Sequence, residues 1–170
     1  MESEITVVIP TWNRKDLLHG CLKSLSIQTE PCRILVVDNG STDGSIEMVQ
    51  GAFPEADILA LEENQGFARA VNRGIQLVKT RYVALLNNDT EVDPEWIAAG
   101  LHAFSTYPDH WFFASRMVDF FDPTVLDSAG DFYSRSGMPY KRGTGEPSNR
   151  YDRVEPVLGA SAGAAFYRSE

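Results

Sequence analysis

Four short apolar runs, each emptying into a polar loop and each followed by a helical pattern, constrain this chain more than any other feature. Ile5-Thr6-Val7-Val8-Ile9, Arg33-Ile34-Leu35-Val36-Val37, Asp57-Ile58-Leu59-Ala60-Leu61 and Tyr82-Val83-Ala84-Leu85-Leu86 have the length and aliphatic content of strands covered on both faces. Leu18, Cys21, Leu22 and Leu25 recur at helical spacing, Ile46, Val49 and Phe53 mark a shorter helix over 44–53, and Phe67 through Val78 repeat the pattern. Asp93-Pro94-Glu95 reads as an N-cap followed by proline at the first helical position, opening a fourth helix through Ile97, Leu101 and Phe104. Such repetition predicts an α/β fold: a Rossmann-like open, mainly parallel sheet with helices on both faces and right-handed crossovers. Its ligand edge lies outside the carboxyl ends of the strands, near a switch in strand order.

After Pro108 the rhythm changes. Trp111 to Ala114 reads as a further strand, followed by alternating segments at 117–121 and 125–133, then a polar stretch from Ser134 to Arg153 that reads as a long loop. The stretch from Val157 to Tyr167 is small and apolar. At 170 residues the chain is the size of one domain. Fifteen Lys and Arg against 24 Asp and Glu give a net charge of −9, which disfavours nucleic acid as a partner. An anionic ligand remains compatible if a divalent cation bridges it to the protein. Cys21 and Cys32 have neither C-x-x-C spacing nor a ligating histidine nearby and read as reduced structural thiols. The acidic start, Met1-Glu2-Ser3-Glu4, is not a signal peptide, and no run reaches the roughly 20 apolar residues of a membrane span, so a cytoplasmic setting is expected.

Each apolar run ends in residues that could serve a ligand: Pro10-Thr11-Trp12-Asn13-Arg14, then Asp38-Asn39-Gly40-Ser41-Thr42-Asp43-Gly44, then Glu62-Glu63-Asn64-Gln65-Gly66-Phe67-Ala68-Arg69, then Asn87-Asn88-Asp89-Thr90-Glu91. Turn chemistry and helix capping explain any one of them. Four on one edge ask for more. No G-x-G-x-x-G follows the first strand, which removes a dinucleotide-binding oxidoreductase. His19, His102 and His110 are scattered and carry no catalytic expectation.

On these segments, together with Ala70-Val71-Asn72-Arg73-Gly74 and the weaker Gly159-Ala160-Ser161-Ala162-Gly163-Ala164-Ala165, the chain resembles a family 2 glycosyltransferase of the GT-A fold, in the rhamnosyltransferase-like subgroup. The resemblance implies one GT-A domain, with 1–107 as its nucleotide-binding half and 108–170 as the start of its acceptor-side half. Asp38 matches the acid that reads the nucleobase, suited to accept the ring N–H of uracil or thymine. Thr11, Asn13 and Arg14 would line the same pocket, with Pro10 before them and Trp12 either flanking it or packing inward. Asn39, Gly40, Gly66 and Asn72 fall in the matching segments, and Arg69 matches an arginine near the nucleotide. Asp89 occupies the last place of an Asp-x-Asp motif that holds Mg²⁺ or Mn²⁺ against the diphosphate. Asn87 and Asn88 complete that motif with amides, so metal affinity without nucleotide is expected to be loose.

The reaction implied is metal-assisted inverting transfer from a UDP- or dTDP-sugar to a growing bacterial-type glycan, lipid-linked at the inner membrane face, which would bring peripheral membrane contact. Inversion needs a general base. In the family this is an acid in a Glu-Asp motif beyond the Gly-Ala segment, and the sequence ends at Glu170 before any such motif. Asp119, Asp122, Asp127, Asp131 and Glu155 lack the matching context and read as solvated surface, so the catalytic base is unassigned and little turnover is expected of this chain. Phe112, Phe113, Phe120 and Phe121 read as core or subunit contact, and if exposed they favour a homodimer. Two other functions stay open: a non-catalytic nucleotide-sugar binding module, and a sugar nucleotidyltransferase, against which the absence of glycine in Pro10–Arg14 argues.

Overall fold

The structure is a computed structural model describing residues 3–169. Met1 and Glu2 of the acidic start, and Glu170, lie outside the described residues. Strands and helices alternate as β1 (Ile5–Thr11), α1 (Lys15–Leu25), β2 (Arg33–Asp38), α2 (Ser45–Ala52), β3 (Asp57–Ala60), α3 (Phe67–Ile75), β4 (Tyr82–Leu86) and α4 (Trp96–Thr106). There follow β5 (Phe112–Ala114), β6 (Met117–Val118), β7 (Leu126–Ser128), β8 (Asp131–Tyr133), β9 (Pro139–Lys141), a 3₁₀ turn at Ser148–Arg150, and β10 (Ala164–Arg168).

Six strands form the central sheet in the order β3-β2-β1-β4-β10-β5. The first four are parallel, and β10 runs antiparallel to both β4 and β5. The chain steps outward from β1 to β2 and β3, then returns across β1 to lay down β4. The order therefore switches between β1 and β4, and the crevice outside their carboxyl ends is where such sheets hold ligands.

Strand alternation sorts the core into two layers. Ile5, Val7, Ile9, Ile34, Val36, Ala84 and Leu86 face α1, α2 and α4 through Leu18, Leu22, Val49, Ile97 and Phe104. Val8, Leu35, Val37, Val83 and Leu85 face α3 through Ala70 and Val71. The close approach of α3 depends on Gly74, where a Cβ would stand 2.6 Å from Val8 Cγ1 and 2.7 Å from Val37 Cγ2.

Several sequence expectations need correction. β3 is an edge strand, half-buried at its centre and exposed at both ends, so it is not covered on both faces. α4 starts at Trp96, two residues after Pro94. Asp93 instead closes a tight turn, its Oδ1 accepting the Glu95 N–H at 2.9 Å, while Gln28 Oε1 accepts the Ile97 N–H at 3.0 Å and does the capping. α3 ends at Ile75, and the pattern that continues to Val78 belongs to tighter turns with Leu77 and Val78 bonded three residues back. The stretch from Ser134 to Arg153 is not all loop: β9 pairs with β8, Phe132 opposite Tyr140. Among the four phenylalanines, Phe113 packs edge-on to Phe104 with centroids 4.9 Å apart, and Phe112 is half-buried. Phe120 and Phe121 are not core: they are 58% and 92% exposed. Cys21 is buried and Cys32 half-buried, both as free thiols.

Candidate functional site

The carboxyl ends of β2, β1 and β4 bring the Asp38, Thr11 and Asn87-Asn88-Asp89 segments to one edge. Thr11 pairs with Asp38 across the ladder, and the Asn39 N–H donates to the Thr11 carbonyl at 2.8 Å. From the other side, Asn88 Nδ2 donates to Thr11 Oγ1 at 2.8 Å. Thr11 therefore joins the acid-bearing turns across the β1–β4 switch. Asn87 is fixed in turn by its N–H, which donates to the Gly163 carbonyl at 2.9 Å, so the Gly-Ala segment also converges here.

Asp38 is the most constrained of these side chains, at 1% exposure. Its Oδ2 accepts the Ser41 N–H at 2.9 Å. Its Oδ1 is buried and has no hydrogen-bond partner among the described residues. The carboxylate adjoins a narrow space, bounded on the helix side by Leu18, Ser45, Ile46 and Val49, that has no room for water. An unpaired buried carboxylate oxygen costs about 1–3 kcal/mol or more. Asp89 is the opposite case: it is exposed and has neither an ion pair nor a hydrogen bond among the described residues.

The other predicted residues divide by what they touch. Asn13 adopts φ 50°, a left-handed conformation that asparagine tolerates. Its N–H donates to Ser41 Oγ at 3.0 Å, and its Oδ1 accepts the Thr42 N–H at 2.8 Å. Its side chain ties two loops together, a role sequence reading did not assign. Asn39 ties the next two: Nδ2 donates to Asn64 Oδ1 at 2.9 Å, and Oδ1 accepts the Gln65 N–H at 2.9 Å. Gly40 is required twice over, by φ 77° and by Glu63, whose Cα would lie 2.8 Å from an added Cβ. Pro10 is buried within β1. Trp12 is 52% exposed and does not pack inward. Arg14 stands exposed at the N-cap of α1, and Gly66 opens α3 with φ 83°. Arg69 and Asn72 lie on the exposed side of α3, with no side-chain bond to the edge among the described residues.

Asp43 also belongs to this edge. Its Oδ1 accepts the Ser45 hydroxyl at 2.6 Å and its Oδ2 the Lys15 N–H at 2.9 Å, so it clamps the starts of α1 and α2. The Ser45 hydroxyl bond holds its carboxyl below the usual carboxylate range, with the backbone bonds adding to the effect. Beneath Asn87, the Cys21 thiol donates to its carbonyl at 3.6 Å. Burial, followed by the nearby charges of Asp89 and Glu91, pushes that thiol up to about 12. It is a packed hydrophobe and no nucleophile.

Among the described residues, no group of three or more His, Cys, Asp or Glu side chains could hold a metal on its own. A single free carboxylate beside two amides fits a hard cation that takes its remaining oxygens from phosphate and water. Of the acids considered as a base, Asp119 and Asp122 cap turns, Asp127 pairs with Lys141 at 2.9 Å, and Glu155 pairs with Arg142, while the half-buried Asp131 has no side-chain partner among the described residues. His19 and His110 pack against Phe53 and Phe113 and take no part in the edge.

A parallel sheet with its order switch at β1–β4, closed by an antiparallel strand and lined with these loops, is the GT-A form of the α/β fold. The sequence model for glycosyl transferase family 2 matches residues 6–168, and the chain belongs to that family. It is 32% identical over 176 residues to the N-acetylglucosaminyl-diphospho-decaprenol L-rhamnosyltransferase of Mycobacterium tuberculosis, covering 92% of this chain and 57% of that protein. It is 33% identical over 107 residues to the glycosyltransferase AglE of Haloferax volcanii, covering 59% of this chain and 35% of the relative. The structure of S. aureus TarS 1-349 in complex with UDP-GlcNAc matches with a TM-score of 0.71 at 19% identity, over 98% of this chain and 45% of that one. The mannosyltransferase PcManGT from Pyrobaculum calidifontis, in complex with GDP-Man and Mn²⁺, matches with a TM-score of 0.63 at 21% identity, over 84% of this chain and 45% of that one. The chain thus spans 57% or less of the length of each of these proteins. No described helix is long and apolar enough to cross a membrane.

Proposed function

We propose that this chain carries the donor-binding site of a glycosyltransferase that takes a UDP- or dTDP-sugar at the β1–β4 edge, with 1–107 as the nucleotide-binding half and 108–170 as the start of the acceptor-side half. The observation that carries this reading is the unpaired, buried Oδ1 of Asp38, joined through Thr11 to the loop that carries Asp89. Asp38 accepts the pyrimidine ring N–H, and because its carboxylate is covered, it must turn outward or the Ser41 turn must open as the base arrives. Asn87 serves the ribose hydroxyls. Trp12, Arg14 and Arg69 flank the nucleotide from the exposed side.

Asp89, with the carbonyl oxygens of Asn87 and Asn88 beside it, would hold Mg²⁺ or Mn²⁺ once phosphates complete the shell. When bound, the cation supplies counter-charge to the diphosphate and acts as a Lewis acid on the leaving group. The protein, at a net charge of −9, offers little counter-charge of its own. The acceptor is a sugar-bearing, lipid-linked glycan at a membrane surface, and transfer proceeds with inversion; the similarity to the mycobacterial N-acetylglucosaminyl-diphospho-decaprenol rhamnosyltransferase supports the lipid-linked acceptor. A non-catalytic binding module is the second reading. It is favoured by the ion pairs that engage Asp127 with Lys141 and Glu155 with Arg142.

Calorimetric titration with UDP and dTDP, with and without Mn²⁺, on the native chain and Asp89→Ala tests the assignment. Binding should tighten about tenfold or more with Mn²⁺, and the gain should vanish in Asp89→Ala. Nucleotide binding that ignores both metal and the substitution refutes the role of Asp89. Robust sugar transfer by the purified chain would refute the second reading.

A further inference from the structure

The segment between β6 and β7 carries the most exposed large hydrophobic side chain among the described residues, and it is not a loose loop. Asp119 Oδ1 accepts the N–H groups of Phe121 and Asp122, each at 2.9 Å, and Asp122 Oδ1 accepts the Thr124 N–H and hydroxyl at 3.1 and 2.6 Å. The Asp119 N–H donates to the Val125 carbonyl and the Val125 N–H to the Asp122 carbonyl, closing the turn on itself. Ser148 pins it from outside through the Thr124 and Pro123 carbonyls. This fixed frame holds Phe121 92% exposed, with the Phe120 ring edge-on to it at 5.4 Å and 79°. Rigid display of an aromatic ring to water gains the fold nothing.

The chain path bounds how far this turn lies from the nucleotide edge. Gly163, whose carbonyl holds Asn87, has the Met117 side chain packed over it: an added Cβ there would lie 3.3 Å from Met117 Cε and 3.7 Å from Asn87 Nδ2. β6 therefore leaves from the nucleotide edge. Phe121 is four residues beyond Met117, at most about 14 Å of extended chain.

We propose that Phe121, braced by Phe120, is a stacking platform for a neutral pyranose of the acceptor, a subsite that rests on the donor-site reading above. An aromatic face is negative and attracts the weakly positive C–H face of a pyranose. Oδ2 of Asp119 and of Asp122, in the same turn, have no partner among the described residues and are free to accept sugar hydroxyls. The same two carboxylates, on a chain of net charge −9, oppose an anionic lipid surface. Because Phe120 and Phe121 lie nearly perpendicular, one sugar stacks on Phe121 while Phe120 fixes its tilt.

The test is saturation-transfer NMR with chitotriose, maltotriose and mannotriose on the full chain, its Phe121→Ala, Phe121→Trp and Asp119→Ala variants, with UDP–Mn²⁺ calorimetry on each. At least one trisaccharide should bind, about tenfold or more weakly after Phe121→Ala, and as well or better after Phe121→Trp. Asp119→Ala, which frees the turn, should weaken it too, and UDP binding should not change in any variant. The proposal is overturned if no trisaccharide binds or if binding ignores Phe121→Ala. It is equally overturned if Phe121 instead governs sedimentation with phosphatidylcholine or phosphatidylglycerol vesicles, or self-association in sedimentation velocity. Phe121-dependent sugar binding in a chain that binds no UDP supports the platform and brings down the donor reading alone.

Discussion

A carboxylate oxygen left unpaired under a sheet edge is a standing cost that a ligand N–H can return. For Asp38 this makes a joint prediction about stability and binding. Asp38→Asn keeps an acceptor for the Ser41 N–H and removes the buried charge, so the variant should melt within about 3 °C of the native chain in calorimetry. Its UDP affinity should fall about tenfold or more, because an amide oxygen accepts the base N–H less strongly than a carboxylate. A large loss of stability with binding intact would make Asp38 a structural turn residue. The Cys21 thiol gives a pH prediction. Its folded value, near 12, lies above the ordinary 9.0, so the folded state keeps a proton that the unfolded chain loses as pH rises past 9. Stability should therefore fall from about pH 9 upward, by up to about 1.4 kcal/mol per pH unit from this group. Urea midpoints measured from pH 8 to 11 should decline less steeply in Cys21→Ala, and equal slopes would contradict the burial argument. Residue identity was legible where a turn needs it, as at Gly40. The loop-tying roles of Asn13 and Asn39 were not legible: their amides bond partners on other loops, a pairing that depends on strand order and leaves no local signal.

Elements in this fold are set by what they approach. Gly74 is the second-to-last residue of α3, where alanine keeps a propensity advantage of at most about 1 kcal/mol, yet its Cβ would meet stiff valine methyls from two strands. Clash outweighs propensity, so Gly74→Ala should destabilise the chain by about 1–2 kcal/mol in urea unfolding. Stabilisation would mean α3 can lift from the sheet at no cost. The strands β1, β2 and β4 could be read from their aliphatic runs because both faces are buried, and β4 begins and ends where the run does. The start of α4 could not, since Asp93-Pro94-Glu95 carries a sound capping pattern that Gln28, arriving from beyond α1, displaces by two residues. β9 was missed for a related reason: its residues are all exposed, so it has no apolar alternation and exists only by pairing with β8.

At the scale of the whole molecule, the sheet gathers four loops spread over some eighty residues of sequence onto one edge, and its order switch puts Asp38 and Asp89 on either side of β1. On the proposed reading, a cation between Asp89 and the diphosphate offsets the net charge of −9. Thr11, bonded to both turns, is the hinge of that arrangement, so Thr11→Val should weaken UDP–Mn²⁺ binding several-fold by freeing Asn88 while leaving the ladder intact. The most direct test of the shared site is a crystal structure of the chain grown with UDP and Mn²⁺, with anomalous scattering locating the metal. The account predicts the uracil N–H on an Asp38 carboxylate oxygen and the Mn²⁺ peak between Asp89 and the two phosphates. Uridine bound away from Asp38, or manganese on any other side chain, would contradict it.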